Sequence, residues 1–212
     1  MLTGLADRIT DAMARRPNGW LGRFVYRSSL AHKSGFRLVL DTVPVGKEDR
    51  VLDVCCGGGV FLEQLLRRAA SAAGIDHSND MLGLSRNRNV AALAEGRLAL
   101  TQGDVTLLPY GDREFTRIFC LNAFFFVPDP QATLLEMARV LEPGGYLAIL
   151  TMPPDCERGM RWVFGPIARR MRFDPPDLIS EMAAGAGLVT EAVHAAPGGS
   201  YLYVARKTLL ES

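Results

Sequence analysis

The four cysteines of this 212-residue chain include no CxxC pair, and none of its three histidines lies at metal-ligand spacing from them. That absence argues against a structural zinc site, and no metal is expected. The neighbours Cys55 and Cys56 are poor disulfide partners, because adjacent cysteines bridge only through a strained ring. The sequence therefore favours reduced thiols, as expected for a cytoplasmic protein.

Long apolar runs are also missing. The first residues lack the uninterrupted apolar stretch of a signal peptide, and no window approaches the roughly 18 apolar residues of a membrane span. We therefore expect a soluble, cytoplasmic protein. The net charge is only +1, yet residues 1–37 carry seven basic and two acidic side chains. A solvated helix face explains this asymmetry; contact with an anionic substrate, a lipid surface or nucleic acid is the alternative.

Short apolar strands alternate with helical segments along most of the chain. Strand–helix alternation with short connections is typical of a mostly parallel sheet that is covered on both faces. The predicted strands of this part are 51–54, 72–75, 98–100, 115–121 and 146–151. Two further strands, 190–194 and 202–205, flank Pro197-Gly198-Gly199, which predicts an antiparallel hairpin. We expect an α/β fold: a doubly wound, mostly parallel, seven-stranded sheet.

One domain accounts for a chain of this length. Its predicted parts are an N-terminal helical lid (1–45), a cofactor-binding core (46–152), a helical insertion on the substrate side (153–174), and a C-terminal helix with the hairpin (175–212). The insertion contains a basic amphipathic helix predicted over 158–172.

The strongest chemical signal is the segment Asp53-Val54-Cys55-Cys56-Gly57-Gly58-Gly59, where the first strand ends. A strand that stops at a glycine-rich turn and continues as a helix exposes backbone N–H groups, and glycine allows a ligand to approach them closely. A dinucleotide site would have GxGxxG, and a P-loop would have a lysine after the glycines. The acid Asp53 suits a cationic ligand group and repels phosphate.

VLDVCCGGG resembles the first motif of the class I S-adenosylmethionine-dependent methyltransferases, usually written VLDxGxGxG. GIDHSNDML (74–82), GDVTLLPY (103–110) and VLEPGGYLAIL (140–150) resemble the family's second-, third- and fifth-strand motifs, in order and at near-standard spacing. The resemblance covers roughly residues 48–152. It implies S-adenosylmethionine as the cofactor and methyl transfer as the activity.

The resemblance also implies a role for each residue that matches a motif. Asp53 is expected to meet the methionine end of the cofactor, and Asp76 to bind both ribose hydroxyls, since a carboxylate accepts two O–H donors well. The other expected cofactor contacts are Cys55, Gly57 and Gly59 in the turn, His77 and Met81 along the adenine, Asp104 and Val105 at the adenine amine, and Leu121 and Asn122 near the sulfonium. The alternatives are a helix-capping role for Asp53, a solvent-facing His77 and a plain core Met81.

Two residues depart from the family pattern. Cys55 stands where the family usually has its first glycine, so its side chain could narrow the turn and weaken cofactor binding. Thr116 stands where the fourth-strand motif usually has an aspartate, and we expect little effect because that acid is often structural.

Methyl transfer rests largely on holding the acceptor in line with the methyl group, and it needs a base only where the acceptor proton has a high pKa. His32 is the only candidate base, and no catalytic residue is assigned. Phe125 and Trp162 are expected to line a pocket for a small hydrophobic or aromatic acceptor, with Phe125 as ordinary packing the alternative.

Other functions remain open at this point. Leu121-Asn122-Ala123-Phe124 lacks the Asn/Asp-Pro-Pro-aromatic motif of family members that methylate DNA adenine or amide nitrogen, so no nucleic-acid partner is expected. A non-catalytic S-adenosylmethionine-binding or assembly subunit is one alternative, motivated by Cys55. A peripheral membrane lipid methyltransferase is another, motivated by the basic N-terminal segment.

Overall fold

The computed structural model describes residues 33–164 and 171–209. The helices of this part are α1 (Lys33–Thr42), α2 (Val60–Leu65), α3 (Asn79–Arg88), α4 (Val90–Ala94), α5 (Pro130–Val140), α6 (Glu157–Phe164) and α7 (Pro176–Gly185). The strands are β1 (Arg50–Val54), β2 (Ser71–Asp76), β3 (Leu98–Gln102), β4 (Phe115–Leu121), β5 (Leu141–Thr151), β6 (Leu188–Ala195) and β7 (Tyr201–Lys207). Most of the expected N-terminal lid, with His32, lies outside the described residues. None of the helices so described is both long and apolar enough to cross a membrane.

The strands form one seven-stranded sheet in the order β3-β2-β1-β4-β5-β7-β6. Strands β1 to β5 pair in parallel, and β7 lies antiparallel between β5 and β6. The predicted α/β sheet with a C-terminal hairpin is confirmed. The chain winds outward from β1 to β3 and then returns to β4 on the other side of β1. In open α/β sheets a ligand binds beyond the carboxyl ends of the strands at such a reversal.

Apolar side chains from the strands build a separate core on each face of the sheet, because successive side chains of a strand point to opposite faces. On one face, Leu52 and Ile118 pack with residues of α5 and α7. On the other, Val51 and Phe119 pack with residues of α1, α2 and α3, and the Phe119 ring lies 5.2 Å from that of Phe61. The sheet is thus covered by helices on both faces.

The sequence pattern predicts one helix over residues 81–94, but the structure has two helices in this stretch. α3 ends at Arg88 and α4 begins at Val90, because Asn89 takes a non-helical conformation with φ −113° and ψ 31°. Its side-chain Nδ2 donates to the carbonyls of Ser85 and Gly59. Apolar periodicity carries no sign of such a break. The break places an amide donor directly behind the glycine-rich turn.

The basic helix predicted over 158–172 is also shorter than expected. Residues 171–175 are not helical, and Arg172 donates two hydrogen bonds to the carboxylate of Asp174 at 2.9 and 3.0 Å. The backbone N–H of Arg172 donates to the carbonyl of Phe125 at 2.8 Å. This segment therefore lies against the residues that follow β4, and Arg172 belongs to an ion pair.

A single arginine of α5 fixes the loop that follows β3. Arg139 donates to the carbonyls of Leu108 and Tyr110 and to the carboxylates of Asp112 and Glu136, at 2.8 to 2.9 Å. We expect Arg139→Met to lower the free energy of unfolding by about 2 kcal/mol, because it leaves part-buried acceptors without a donor. Urea denaturation measures this. Arg37→Met is the matched control: its exposed pair with Asp41 should contribute less than about 0.5 kcal/mol, and an equal loss there would contradict the special role of Arg139.

Candidate active site

In the turn after β1, every second residue has a left-handed backbone conformation. Cys55, Gly57 and Gly59 have φ values of 59°, 51° and 72°. Residues other than glycine rarely adopt such values, since the side chain crowds the backbone at a cost of about 1–2 kcal/mol. This conformation explains why glycine is usual at these positions. Cys55 adopts the same conformation, which costs conformational free energy.

Two glycines of the turn are required for different reasons. A Cβ on Gly57 would meet no atom within 4 Å, so this residue faces open space at the carboxyl edge of the sheet. A Cβ on Gly59 would lie 2.2 Å from the Ser85 hydroxyl oxygen and 2.7 Å from the Asn89 amide nitrogen, so this residue is packed against α3. The absence of a side chain at Gly57 thus leaves room for a ligand, and its absence at Gly59 leaves room for the side chains of Ser85 and Asn89.

The side chain of Cys55 turns towards the sheet. It packs on the core face formed with α5 and α7, to which Cys120 of β4 also belongs. The neighbouring Cys120 thiol, then burial and nearby negative charge, raise the pKa of the Cys55 thiol well above its ordinary value. The sulfur is therefore accommodated on the sheet side of the turn.

Asp76, the last residue of β2, is connected directly to the turn. Its Oδ2 accepts from the N–H of Gly57 and its Oδ1 from the N–H of Ser78, each at 2.8 Å. Each carboxylate oxygen has about two acceptor sites, so each can still accept one hydroxyl. Burial raises the pKa of Asp76, although the two N–H donors and neighbouring His77 oppose that rise.

Asp53 in β1 is a second buried carboxyl group beside the turn. Only 3% of it is exposed, and within the described part of the chain no donor reaches its carboxylate. Burial, and next the charge of Asp76, raise the pKa of Asp53 well above its ordinary value. Two acidic groups thus share a water-poor site, which a cationic ligand group would stabilise.

We expect Asp53→Asn to stabilise the ligand-free protein at about pH 8 by more than about 1 kcal/mol, since each unit of pKa shift corresponds to about 1.4 kcal/mol. A raised folded-state pKa contributes stability below the ordinary Asp pKa, and that stability is lost as pH rises through the folded-state value. The gain over wild type should therefore shrink towards about pH 4.5. Urea denaturation at both pH values measures it, and a destabilised variant at about pH 8 would contradict the assignment.

The expected adenine contacts lie at the ends of β2 and β3. His77 follows Asp76 and is half-buried, with Nδ1 3.6 Å from an Asp76 oxygen. Asp104 is exposed, and its Oδ1 accepts from the backbone N–H and the hydroxyl of Thr106, which lowers the pKa of Asp104. Val105 and Met81 are both buried, Met81 in the first turn of α3.

The residues expected near the sulfonium and the acceptor follow β4 or end it. Leu121 is buried, and Asn122 takes the left-handed φ of 56° as its N–H donates to the carbonyl of Leu150. The next residues form a short 3₁₀ helix, Phe124–Phe126, in which Phe125 is buried. Trp162, by contrast, is 89% exposed on α6, so this helix presents it to solvent and it is not among the residues packed around Phe125.

Sequence reasoning missed an apolar cluster that gathers from separate parts of the chain. We call it the Met/Phe cluster; its members are Phe125, Phe126, Met152, Met160, Met171 and Phe173. It is distinct from the two cores that cover the sheet. Methionines at irregular spacing carry no periodic signal, and only the fold brings them to one place.

A family model for a methyltransferase domain matches residues 52–149. That range begins in β1 and includes every expected cofactor contact. The sheet order and the motif order agree with it. Residues 52–149 therefore form a class I S-adenosylmethionine-dependent methyltransferase domain.

Individual relatives agree with this membership. A demethylmenaquinone methyltransferase of Deinococcus radiodurans is 38% identical over 122 residues, 57% of this chain and 48% of the relative. A ubiquinone biosynthesis O-methyltransferase of Aeromonas salmonicida is 27% identical over 164 residues, 70% of this chain and 67% of the relative. The chain spans about half the length of the first curated relatives that it matches.

The fold is shared with solved methyltransferase structures. In the complex between the Trm112 methyltransferase activator of Haloferax volcanii and a methyltransferase, the matching chain superposes with a TM-score of 0.77 at 21% identity. The match covers 88% of this chain and 94% of that one.

The residues at the carboxyl edge of the sheet fit S-adenosylmethionine, the cofactor of this family. Gly57 faces open space where a Cβ would stand, Asp76 keeps acceptor capacity for two hydroxyls, and Asp53 is a buried carboxyl group without a donor from the described residues. A ribose supplies two hydroxyl donors, and the amino group of a methionine moiety supplies a cation. The donor and acceptor chemistry of the site and of the cofactor are therefore complementary.

Proposed function

We propose that this protein transfers a methyl group from S-adenosylmethionine to a small hydrophobic or aromatic acceptor, bound beside the Met/Phe cluster. The observation that carries the proposal is the meeting of Gly57, Asp76 and Asp53 at the reversal point of the sheet, next to the strand that ends at the apolar cluster. We further propose that it acts as a single domain in the cytoplasm.

The cofactor contacts belong to the same proposal. Asp76 holds the ribose hydroxyls and Asp53 faces the methionine end, while Gly57 allows the cofactor to approach the backbone. His77 and Met81 lie along the adenine. Asp104 and Val105 complete the adenine site, and Cys55, Gly59, Leu121 and Asn122 complete the walls.

The reaction needs position more than acid–base chemistry. S-adenosylmethionine supplies a methyl group on a positively charged sulfur, whose departure as a neutral thioether needs no acid. The protein's task is then to hold the acceptor atom in line with that methyl group. Such alignment can lower the activation barrier by several kcal/mol. The rigid two-sided sheet and the left-handed Asn122 fix the floor on which this alignment is made.

The Met/Phe cluster favours an apolar acceptor. Thioether and phenyl groups offer dispersion contacts and no hydrogen bonds, and methionine adapts to irregular shapes. The rings of Phe125 and Phe126 lie 4.6 Å apart, so the 3₁₀ helix presents aromatic surface after β4. Relatives named for demethylmenaquinone and for ubiquinone biosynthesis are consistent with an acceptor of this class.

Transfer of a labelled methyl group to a panel of acceptors tests the proposal. The panel should contain phenols and hydroquinones with and without apolar tails, and hydrophilic amines and carboxylates as the opposing set. We expect label in the apolar set only. Phe125→Leu should raise the acceptor KM and leave the affinity for S-adenosylhomocysteine unchanged. Phe115→Leu, a buried change packed against Tyr110 at the other end of β4, is the matched control. Transfer to hydrophilic acceptors alone would contradict the proposal.

The exposed Trp162 supports a second candidate, a methyltransferase that acts on acceptors at a membrane surface. Tryptophan favours the membrane interface, where its ring is apolar and its N–H is hydrated. Sedimentation with vesicles containing anionic lipid, for wild type and Trp162→Ala, distinguishes the two. Binding that the variant loses supports the surface enzyme, and absence of binding at low salt contradicts it.

A further inference from the structure

Two side chains at the junction between α3 and α4 contact the carbonyl groups of the glycine-rich turn. Arg88, the last residue of α3, donates from Nε to the carbonyl oxygen of Gly58 at 3.1 Å. Asn89, which separates the two helices, donates from Nδ2 to the carbonyl oxygen of Gly59 at 3.3 Å. Two consecutive residues of the junction thus bind two consecutive peptide groups of the turn.

The Asn89 amide is fixed in place by its surroundings. Only 5% of Asn89 is exposed, and its Nδ2 also donates to the carbonyl oxygen of Ser85 at 3.0 Å. Both of these partners are acceptors, so the amide nitrogen and not the amide oxygen faces them, with one N–H for each carbonyl. A Cβ on Gly59 would lie 2.7 Å from this nitrogen, so the turn and the junction are closely fitted.

Arg88 connects the same junction to a third element. Its Nη1 lies 3.6 Å from Oε2 of Glu63 in the first turn of α2. The backbone N–H of Glu63 donates to the carbonyl oxygen of Gly59 at 3.1 Å, which begins α2. Arg88 therefore links α3 both to the turn and to the helix that the turn leads into.

The opposite end of the turn is held by its N–H groups. The N–H of Cys56 donates to the carbonyl oxygen of Ile75 at 3.0 Å, and the N–H of Gly57 donates to Asp76 at 2.8 Å. Strand β2 thus holds the start of the turn, and the α3–α4 junction holds its end. A glycine-rich segment has many backbone conformations available, so contacts at both ends select one of them. A site that is already ordered loses less entropy when a ligand binds.

We propose that Arg88 and Asn89 are positioning residues for cofactor binding, because they keep the turn in the conformation in which Gly57 and Asp76 receive S-adenosylmethionine. Both side chains act through the turn and not by contact with the cofactor. The inference rests on the proposed function. A displacement of about 1 Å at a site can cost about 100-fold, so partial relaxation of the turn should cost about tenfold in affinity.

Titration of Asn89 and Arg88 variants with S-adenosylhomocysteine tests the proposal. Asn89→Asp keeps the shape of the side chain but replaces the donor by an oxygen that repels both carbonyls, and Asn89→Ala removes the donor without adding charge. Both should bind about tenfold more weakly. Arg88→Met should bind about threefold more weakly, and Arg88→Lys, which keeps a cationic donor, should lie closer to wild type. Arg86→Met, which changes an exposed arginine of the same helix, is the matched control and should bind like wild type.

Two further measurements separate positioning from a general loss of stability. Phe115→Leu lowers stability in a buried position at the start of β4 and should leave the affinity of the folded protein unchanged. Amide exchange of residues 56–60 in the ligand-free protein should be faster in Asn89→Ala than in wild type. Phe115→Leu should show wild-type exchange in this segment under the same folded conditions.

The outcomes distinguish this inference from the proposed function. Folded Asn89 variants that bind like wild type, or that lose affinity with unchanged exchange in residues 56–60, would overturn the positioning role and leave the proposed function intact. A wild-type protein that binds no S-adenosylhomocysteine would overturn the proposed function and the positioning role together. Weaker binding with faster exchange in this segment, in the Asn89 variants alone and not in Phe115→Leu, is the expected result.

Discussion

Asp76→Ala should weaken binding of S-adenosylhomocysteine by at least about 100-fold. A hydrogen bond to a charged group contributes about 1.5–3 kcal/mol, and Asp76 is positioned to accept two from the ribose. The substitution also removes the acceptors for the N–H groups of Gly57 and Ser78, so the turn loses its connection to β2. Isothermal titration calorimetry measures the affinity.

Two further variants separate these contributions. Asp76→Asn keeps the size and one acceptor oxygen, and its affinity should lie between those of wild type and Asp76→Ala. Asp80→Ala removes an exposed carboxylate from the first turn of α3 and should bind like wild type. Equal affinity of Asp76→Ala and wild type would show that this carboxylate does not hold the ribose.

Alanine substitutions in the turn should affect binding and stability separately. Gly57→Ala should lower the affinity for S-adenosylhomocysteine at least about tenfold, because its Cβ would occupy the space that a ligand must enter. Its stability loss should be only about 1–2 kcal/mol, the cost of a left-handed conformation with a side chain. Titration calorimetry and urea denaturation measure the two effects.

The neighbouring glycines are the matched controls for Gly57→Ala. Gly59→Ala should lower the free energy of unfolding by about 2–4 kcal/mol, because its Cβ would overlap the Ser85 hydroxyl and adds left-handed strain. Gly58→Ala should change little, since its Cβ would make an ordinary contact of 3.6 Å with Leu84. A Gly57→Ala variant that binds as well as Gly58→Ala would place the cofactor elsewhere.

The sheet and the edge that carries the site could be predicted because their signals are local. Short apolar runs end at or within two residues of Asp53, Asp76 and Asp104, and parallel strands bring such ends to one edge. The roles of the individual side chains stay predictions, because they concern contacts with a ligand. Geometry adds that Asp53 and Asp76 are buried and Asp104 exposed, a difference that no spacing in the sequence reveals.

What could not be predicted depends on packing between distant segments. Asn89 interrupts a helix because its side chain bonds to Gly59, thirty positions earlier in the chain. How the side chain of Cys55 is accommodated at a glycine position depends on its packing against the core face that β4 and α5 help to form. Trp162 was expected in the acceptor pocket from its residue type, but its exposure follows from which face of α6 packs inward.

The most direct test of the claim that the cofactor lies at the carboxyl edge of β1, β2 and β3 is amide hydrogen exchange of the protein, measured with and without S-adenosylhomocysteine. The expected result is saturable slowing of amide exchange in segments 55–59, 76–81 and 104–106, with β6 and α7 unchanged. Asp76→Ala should abolish this slowing at the same ligand concentration. Saturable slowing confined to other segments, or no slowing under conditions where the protein is folded, would contradict the assignment of the cofactor site.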